Sequence, residues 1–267
     1  MKTRTIKTSV EISGTGVHSG KKSKIILQPE KKEGIVFIKN GEKIPATLDK
    51  VEYCDRAITL VENGQRIRTI EHLMSALCAC RIDCIRIHLE GEEIPALDGS
   101  ANPFITAIEK TGIKELKHEK KERYLKKNIV VEGKGCFASC APSDHLEIRY
   151  IISYNHPLLY YQEYLFDGNS NFQDIANCRT YGMLSWKEEL NKKGFALGAS
   201  EENTLVYTEK GTLNKARLPG EAVRHKVLDL LGELYLIRPI PIGRYFVFRG
   251  GHLLHYQLLK KINKELK

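Results

Sequence analysis

Two pairs of residues in this chain are spaced to do chemistry together. His225 and Asp229, within VRHKVLDLLGELYLI, stand four apart, which on a helix puts them one turn apart on one face, a spacing that suits two ligands converging on one ion. Around them Val227, Leu228, Leu230, Leu231, Leu234 and Tyr235 are apolar nearly all round, so this helix is expected to be buried on most sides. A carboxylate in such a place is costly unless it meets a cation or hydrogen-bond donors. Taken alone, the HxxxD pattern is better read as Asp229 paired with a Lys or Arg and His225 filling a packing gap. Glu71-His72 is the second pair. Consecutive helical side chains point about 100° apart, so His72 could bind a metal while Glu71 reaches a water on it. Two His and one carboxylate leave one tetrahedral position open, as catalytic zinc needs, although an HExxH arrangement is absent. His252, in RGGH, follows a hydrophobic strand. It suits a general acid or an oxyanion stabiliser, but by itself the segment is better read as a strand-ending turn with an exposed histidine.

These groups need elements to position them. TSVEIS and KSKIILQP read as strands, and GIVFIKNGEKIPATL carries a hairpin signal at Asn40-Gly41. From Thr69 the period becomes helical, with Ile70, Leu73, Met74 and Leu77 on one face. CIRIHLEG returns to a strand, and DGSANPFITAIEKTG reads as a turn and a second helix closed by Gly112. A Lys-rich stretch from Lys114 to Lys127 separates this half from one that begins again with strands, reaches a helix over Glu221 to Ile237 and ends in the strand RYFVFRGG. The order strands, buried helix, strand occurs twice, and the openings VEISGTGVHSG and VVEGKGCFASC are weakly alike. The expected fold is α+β: two similar domains, 1–118 and 124–267, each a small β-sheet packed with α-helices. The second carries an insert at about 185–207, SWKEELNKKGFALGASEENTLVY, read as a short helix, a Gly-rich turn and a strand. Such an insert is as readily a surface excursion as a lid or binding element.

A hydrophobic content of 42% over 267 residues is that of a core-forming chain. The net charge of +9 admits an anionic partner, but the lysines cluster at segments that read as loops or ends, Lys260 to Lys267 included, and are better taken as solvated surface. No helix-turn-helix, RNA-recognition or zinc-finger pattern points to nucleic acid, and there is no P-loop, dinucleotide fingerprint or GxSxG elbow. The seven cysteines form no CxxC pair; Cys78, Cys80 and Cys84 match no common zinc module and are read as core thiols. With no signal-peptide pattern or membrane-length apolar run, a cytoplasmic location is expected.

Taken together, ISGTGVHSG, TIEHLMSAL, EIPALDGSANPF, CRTYGM, VRHKVLDLLGELYL and FRGGH run through nearly the whole chain in the order found in one family. The chain resembles the UDP-3-O-acyl-N-acetylglucosamine deacetylase (LpxC) family, the zinc amidases of lipid A biosynthesis. The resemblance implies an active site at the interface of the two domains, with Zn2+ held by His72, His225 and Asp229. It makes Glu71 the general base and His252 the cationic general acid that stabilises the oxyanion and protonates the leaving amine. Thr180 becomes a hydrogen-bond donor to the oxyanion, Lys226 a residue lining the substrate site, and the insert Ser185 to Tyr207 the passage for an acyl chain. Glu233, one turn beyond Asp229, is the natural carboxylate partner of His252 and stands where the family usually has Asp. Tyr181 stands where Phe is commoner, and His18 reads equally as a residue supporting the site and as a structural one. The implied partner is a UDP-sugar bearing an acyl chain, met by a cytoplasmic monomer in transient contact with the membrane surface. The rival readings are a basic protein that binds RNA or anionic lipid on the same fold, and a zinc amidase acting on another acylated sugar.

Overall fold

Two five-stranded sheets with one strand order frame the computed structural model, which describes residues 1–54, 56–168 and 170–266. Across the first sheet run Val10–Thr15, Lys22–Pro29, Cys84–Glu90, Gly34–Lys39 and Glu42–Pro45. Across the second run Ile129–Gly133, Cys136–Ala141, Arg244–Phe248, Glu147–Ile152 and Gln162–Asp167. In each, the last strand in sequence takes the centre, antiparallel to the second strand and parallel to the third. A parallel join requires a crossover, and helices supply it. Helices α1 (Glu71–Ala79) and α2 (Asn102–Thr111) precede and follow the first central strand. The short α3 (Gln173–Ala176) and α4 (Lys187–Lys192) lie in the connection of the second half, and α5 (Glu221–Leu234) and α6 (His252–Glu265) flank its central strand. The expected pair of similar α+β units is therefore one plan built twice.

Local chemistry explains several elements. Asn40 and Gly41 both take positive φ, 50° and 83°, the two-residue turn that matches strand twist, and Lys39 pairs with Glu42 across it. Pro103 occupies the first turn of α2, and Gly112 at φ 72° ends it. Helix α5 is buried on nearly every side because it lies between the halves, packed on α1 and on strands Glu147–Ile152 and Gln162–Asp167.

Three segments differ from the sequence reading. Part of the Lys-rich separator is a strand: Ile113–Glu119 pairs antiparallel with Lys2–Ile6, and because its only half-buried residues, Ile113 and Leu116, stand three apart, no apolar alternation marks it in the sequence. The basic tail is helix α6, where Leu254, Leu258, Leu259 and Ile262 are buried while Lys260 and Lys261 face out. The insert is part of a larger β-α-β unit, since Thr180–Met183 pairs in parallel with Thr204–Tyr207. The first half has its own insert, a three-stranded sheet of Val51–Cys54, Ala57–Glu62 and Gln65–Arg68. No helix among the described residues is long and apolar enough to cross a membrane.

Candidate metal centre and its cavity

Glu71 and His72 open α1, and α5 crosses beside them. Gly232 permits the approach: a Cβ there would fall inside the contact radius of the Glu71 carbonyl oxygen. Asp229 Oδ1 lies 3.6 Å from His72 Nε2 and 3.3 Å from His225 Nε2. His225 Nδ1 donates to the Cys178 carbonyl at 2.9 Å, which turns its Nε2 toward this point. The bland pairing also exists, because Lys226 Nζ donates to Asp229 Oδ2 at 2.7 Å. It accounts for only half of the carboxylate: Oδ1 is buried with no hydrogen-bond partner. Ligands about 2.0–2.1 Å from a tetrahedral zinc stand roughly 3.3–3.4 Å apart, close to the Oδ1 separations, so the residues present fit such an ion. Burial pushes the His225 imidazole down to about 4, leaving it the neutral form a ligand requires. Burial would raise the Asp229 carboxyl, but His225 and Lys226 outweigh it and hold the group well below its ordinary range.

Two further groups flank the centre. Glu71 Oε2 accepts the Ile58 N–H at 3.2 Å, and burial raises its carboxyl above the usual value. His252 is the first residue of α6 and meets Glu233 Oε1 through Nδ1 at 2.8 Å. Burial would lower the His252 imidazole; the Glu233 carboxylate prevails and raises it. The same Oε1 takes His255 Nδ1 at 3.2 Å. Glu233, His252 and His255 also form a set able to gather a cation, but two ring nitrogens within 3.2 Å of one oxygen have the geometry of two hydrogen bonds. Cys78, Cys80 and Cys84 belong to no such set among the described residues, and burial pushes the Cys78 and Cys80 thiols up to about 12. The six described cysteines are free, and the Cys54 side chain lies outside the described residues.

The His72, His225 and Asp229 cluster, with Glu71 and His252, opens on one cavity of about 1190 Å3. Its polar end holds His72, His225, Asp229, Glu71, His252 and Lys226, with Thr180 and His18 beside them. Leu184, Trp186, Leu190, Val206 and Leu213, from the β-α-β unit and the turn after it, give the cavity an apolar wall, and charged residues such as Arg56, Lys134 and Lys187 line it as well. Glu233 stands behind His252, outside the lining. Thr180 is fixed by its N–H to the Gly99 carbonyl at 2.8 Å. His18 Nδ1 accepts the Ala196 N–H at 3.4 Å and its ring meets Phe195 edge-on, so it ties the first half to the insert; burial pushes its imidazole down to about 4.

Three features escape sequence reading. Arg179 donates through Nε to Glu221 Oε1 at 2.9 Å, a buried pair that anchors the Thr180 strand to the start of α5. Burial works against the Glu221 carboxylate, yet the Arg179 bonds and the Arg217 N–H hold its carboxyl below the ordinary value. Gly232 and the Tyr150–His255 contact are the others, and all depend on partners distant in sequence.

Comparison with known proteins identifies the family. A family model described as UDP-3-O-acyl N-acetylglycosamine deacetylase matches residues 3–264. Curated relatives carrying the name UDP-3-O-acyl-N-acetylglucosamine deacetylase include a Nautilia profundicola protein, 38% identical over 98% of this chain and 92% of its own. A Helicobacter pylori protein is 36% identical over 100% and 93%, and one from Pseudomonas entomophila 34% over 98% and 90%.

Proposed function

The chain belongs to the UDP-3-O-acyl-N-acetylglucosamine deacetylase family, and from that premise we propose how its cavity divides the labour: His72, His225 and Asp229 hold Zn2+, Glu71 is the general base, and His252 is the general acid. The protein is a hydrolase that removes the N-acetyl group of UDP-3-O-acyl-N-acetylglucosamine, yielding acetate and the free amine, an early step of lipid A biosynthesis. The observation that carries the assignment is the partnerless Asp229 Oδ1 facing two imidazoles, with Glu71 and His252 on the same cavity.

Held by His72, His225 and Asp229, a Zn2+ ion would supply an acidified water and polarisation of the acyl carbonyl. Glu71, one oxygen held by the Ile58 N–H, uses the other to take a proton from the attacking water. Its raised affinity for protons, a consequence of burial, suits a base that must accept and then pass one on. Thr180 and His252 receive the negative charge that develops on the carbonyl oxygen. His252, its Nδ1 bonded to Glu233, keeps Nε2 on the opposite side of the ring to protonate the leaving amine. Lys226 keeps Asp229 ionised and lines the substrate site beside it. The apolar wall from Leu184 to Leu213 takes the 3-O-acyl chain.

The protein acts in the cytoplasm, where the six free cysteines among the described residues would stay reduced, and as a monomer, with a net charge of +9 that favours transient contact with an anionic membrane. Its domains divide at 1–118 and 124–267; Lys120 N–H bonds the Met1 carbonyl whereas Tyr124 pairs with Ile242, so the chain crosses between them. Purified protein is expected to carry about one equivalent of zinc, lost in His225→Ala. Glu71→Ala should keep the metal and stop acetate release from the UDP-sugar. Unchanged zinc in the first variant, or full activity in the second, overturns the assignment.

A further inference from the structure

The carboxylate behind His252 serves two histidines. Glu233 Oε1 meets His252 Nδ1 at 2.8 Å and His255 Nδ1 at 3.2 Å, while Oε2 is buried with no hydrogen-bond partner. An ionised carboxylate only accepts, so both imidazoles carry a proton on Nδ1. In a neutral His255 ring Nε2 is then the acceptor of the Tyr150 hydroxyl, 2.8 Å away. His255 and Tyr150 are both 0% exposed, neither lines the cavity, and the mechanism above uses neither. A continuous chain of hydrogen bonds thus runs from the second sheet through Tyr150, His255 and Glu233 to the ring that faces the substrate. Gly250 leaves room for it, since a Cβ there would come 3.0 Å from the Tyr150 hydroxyl and 3.4 Å from His255 Nε2.

We infer that His255 is a positioning residue for the general acid: by taking a share of Glu233, it sets how firmly His252 keeps its proton and how its ring is aimed. The inference rests on the reading of His252 as the acid. A carboxylate oxygen that accepts two N–H groups gives each less than it would give one, and here the second oxygen has no donor that could redistribute charge. Protonation of His252 is also favoured by Glu71 and Asp229 and opposed by Lys226, while His18 across the cavity, pushed down to about 4, faces it as a neutral ring. His255 itself faces Glu233, Tyr150 and His252, so changing it alters one input to the acid and leaves the metal ligands in place. The Tyr150 hydroxyl strengthens His255 as a donor by polarising the ring from its far side.

The test compares His255→Leu, which removes the donor, with His255→Asn, whose amide reaches the place of Nδ1 and keeps the bond to Glu233. Zinc content and melting temperature serve as controls. Two readouts are taken on the zinc-loaded protein: the NMR titration midpoint of the His252 ring, and the alkaline limb of kcat/KM. In His255→Leu both should move up by roughly one pH unit, with kcat about tenfold lower and KM within about twofold of wild type. His255→Asn should restore the midpoint, and Tyr150→Phe should shift it in the same direction by less. If His255→Leu does not fold, Tyr150→Phe decides alone. An unmoved His252 midpoint in the folded variants, or an equal shift in His255→Asn and His255→Leu, overturns the inference. An alkaline limb that survives in His252→Ala instead overturns the reading of His252 as the acid.

Discussion

The two halves share a strand order but give the site different things. The first presents the start of α1, where Glu71 and His72 are adjacent, with Val17, His18, Arg56 and Thr69 on the same cavity, while its helix α2 lines none of it. The second presents a face of α5 carrying His225, Lys226, Asp229 and Glu233, and the start of α6 with His252. The inserts differ in the same way. A three-stranded sheet extends the first half, whereas the β-α-β unit of the second supplies most of the apolar cavity wall. A repeated scaffold therefore does not repeat chemistry. What distinguishes α5 is that its buried charges have partners: Lys226 for Asp229, two histidines for Glu233 and Arg179 for Glu221. Without them burial would cost more than the packing returns.

The division is broken most severely at the centre itself. Asp229→Asn on α5 should lose metal and activity together, by roughly 10^3–10^4-fold in kcat/KM, whereas Glu71→Gln on α1 should lose about 10^2–10^4-fold with zinc retained. Metal analysis beside kinetics separates the two; zinc loss in Glu71→Gln would mean that the first half contributes more to binding than one ligand.

Next in size is the anchor of α5. Glu221→Gln leaves Arg179 buried without its counter-charge and should cost about 3 kcal/mol in denaturant unfolding. Because the Glu221 carboxyl is held below its ordinary value, the pair's contribution is whole above the usual glutamate range and fades as pH falls through the lowered folded value. The stability gap between wild type and variant should accordingly close in acid. A gap independent of pH would assign the loss to packing.

Gly232→Ala probes the seam between the halves. Its methyl would press on the Glu71 backbone, so stability should fall by roughly 1–3 kcal/mol and zinc affinity with it, as α1 is pushed from α5. Affinity unchanged despite lower stability would show that the ligands tolerate that movement. The smallest effect belongs to the far edge of the first sheet, where Gly41→Ala at φ 83° should cost about 1 kcal/mol and leave kcat/KM as it was.

By itself the sequence determined much of what depends on near neighbours. The Asn40-Gly41 turn, the helix period from Ile70, the Gly112 stop and the single face shared by His225 and Asp229 are local in cause and were legible as such. Periodicity reports that a face is buried, but not against what. Read residue by residue, α1 and α5 remained separate helices, each with an ordinary structural explanation, and only a resemblance over the whole chain linked them. Tertiary structure decided the rest: that Gly232 lets α5 reach Glu71, that Arg179 finds Glu221, and that Tyr150 and His255 stand behind Glu233. Each is a meeting of groups far apart in the chain, selected because a buried polar atom must find a partner wherever the fold brings one.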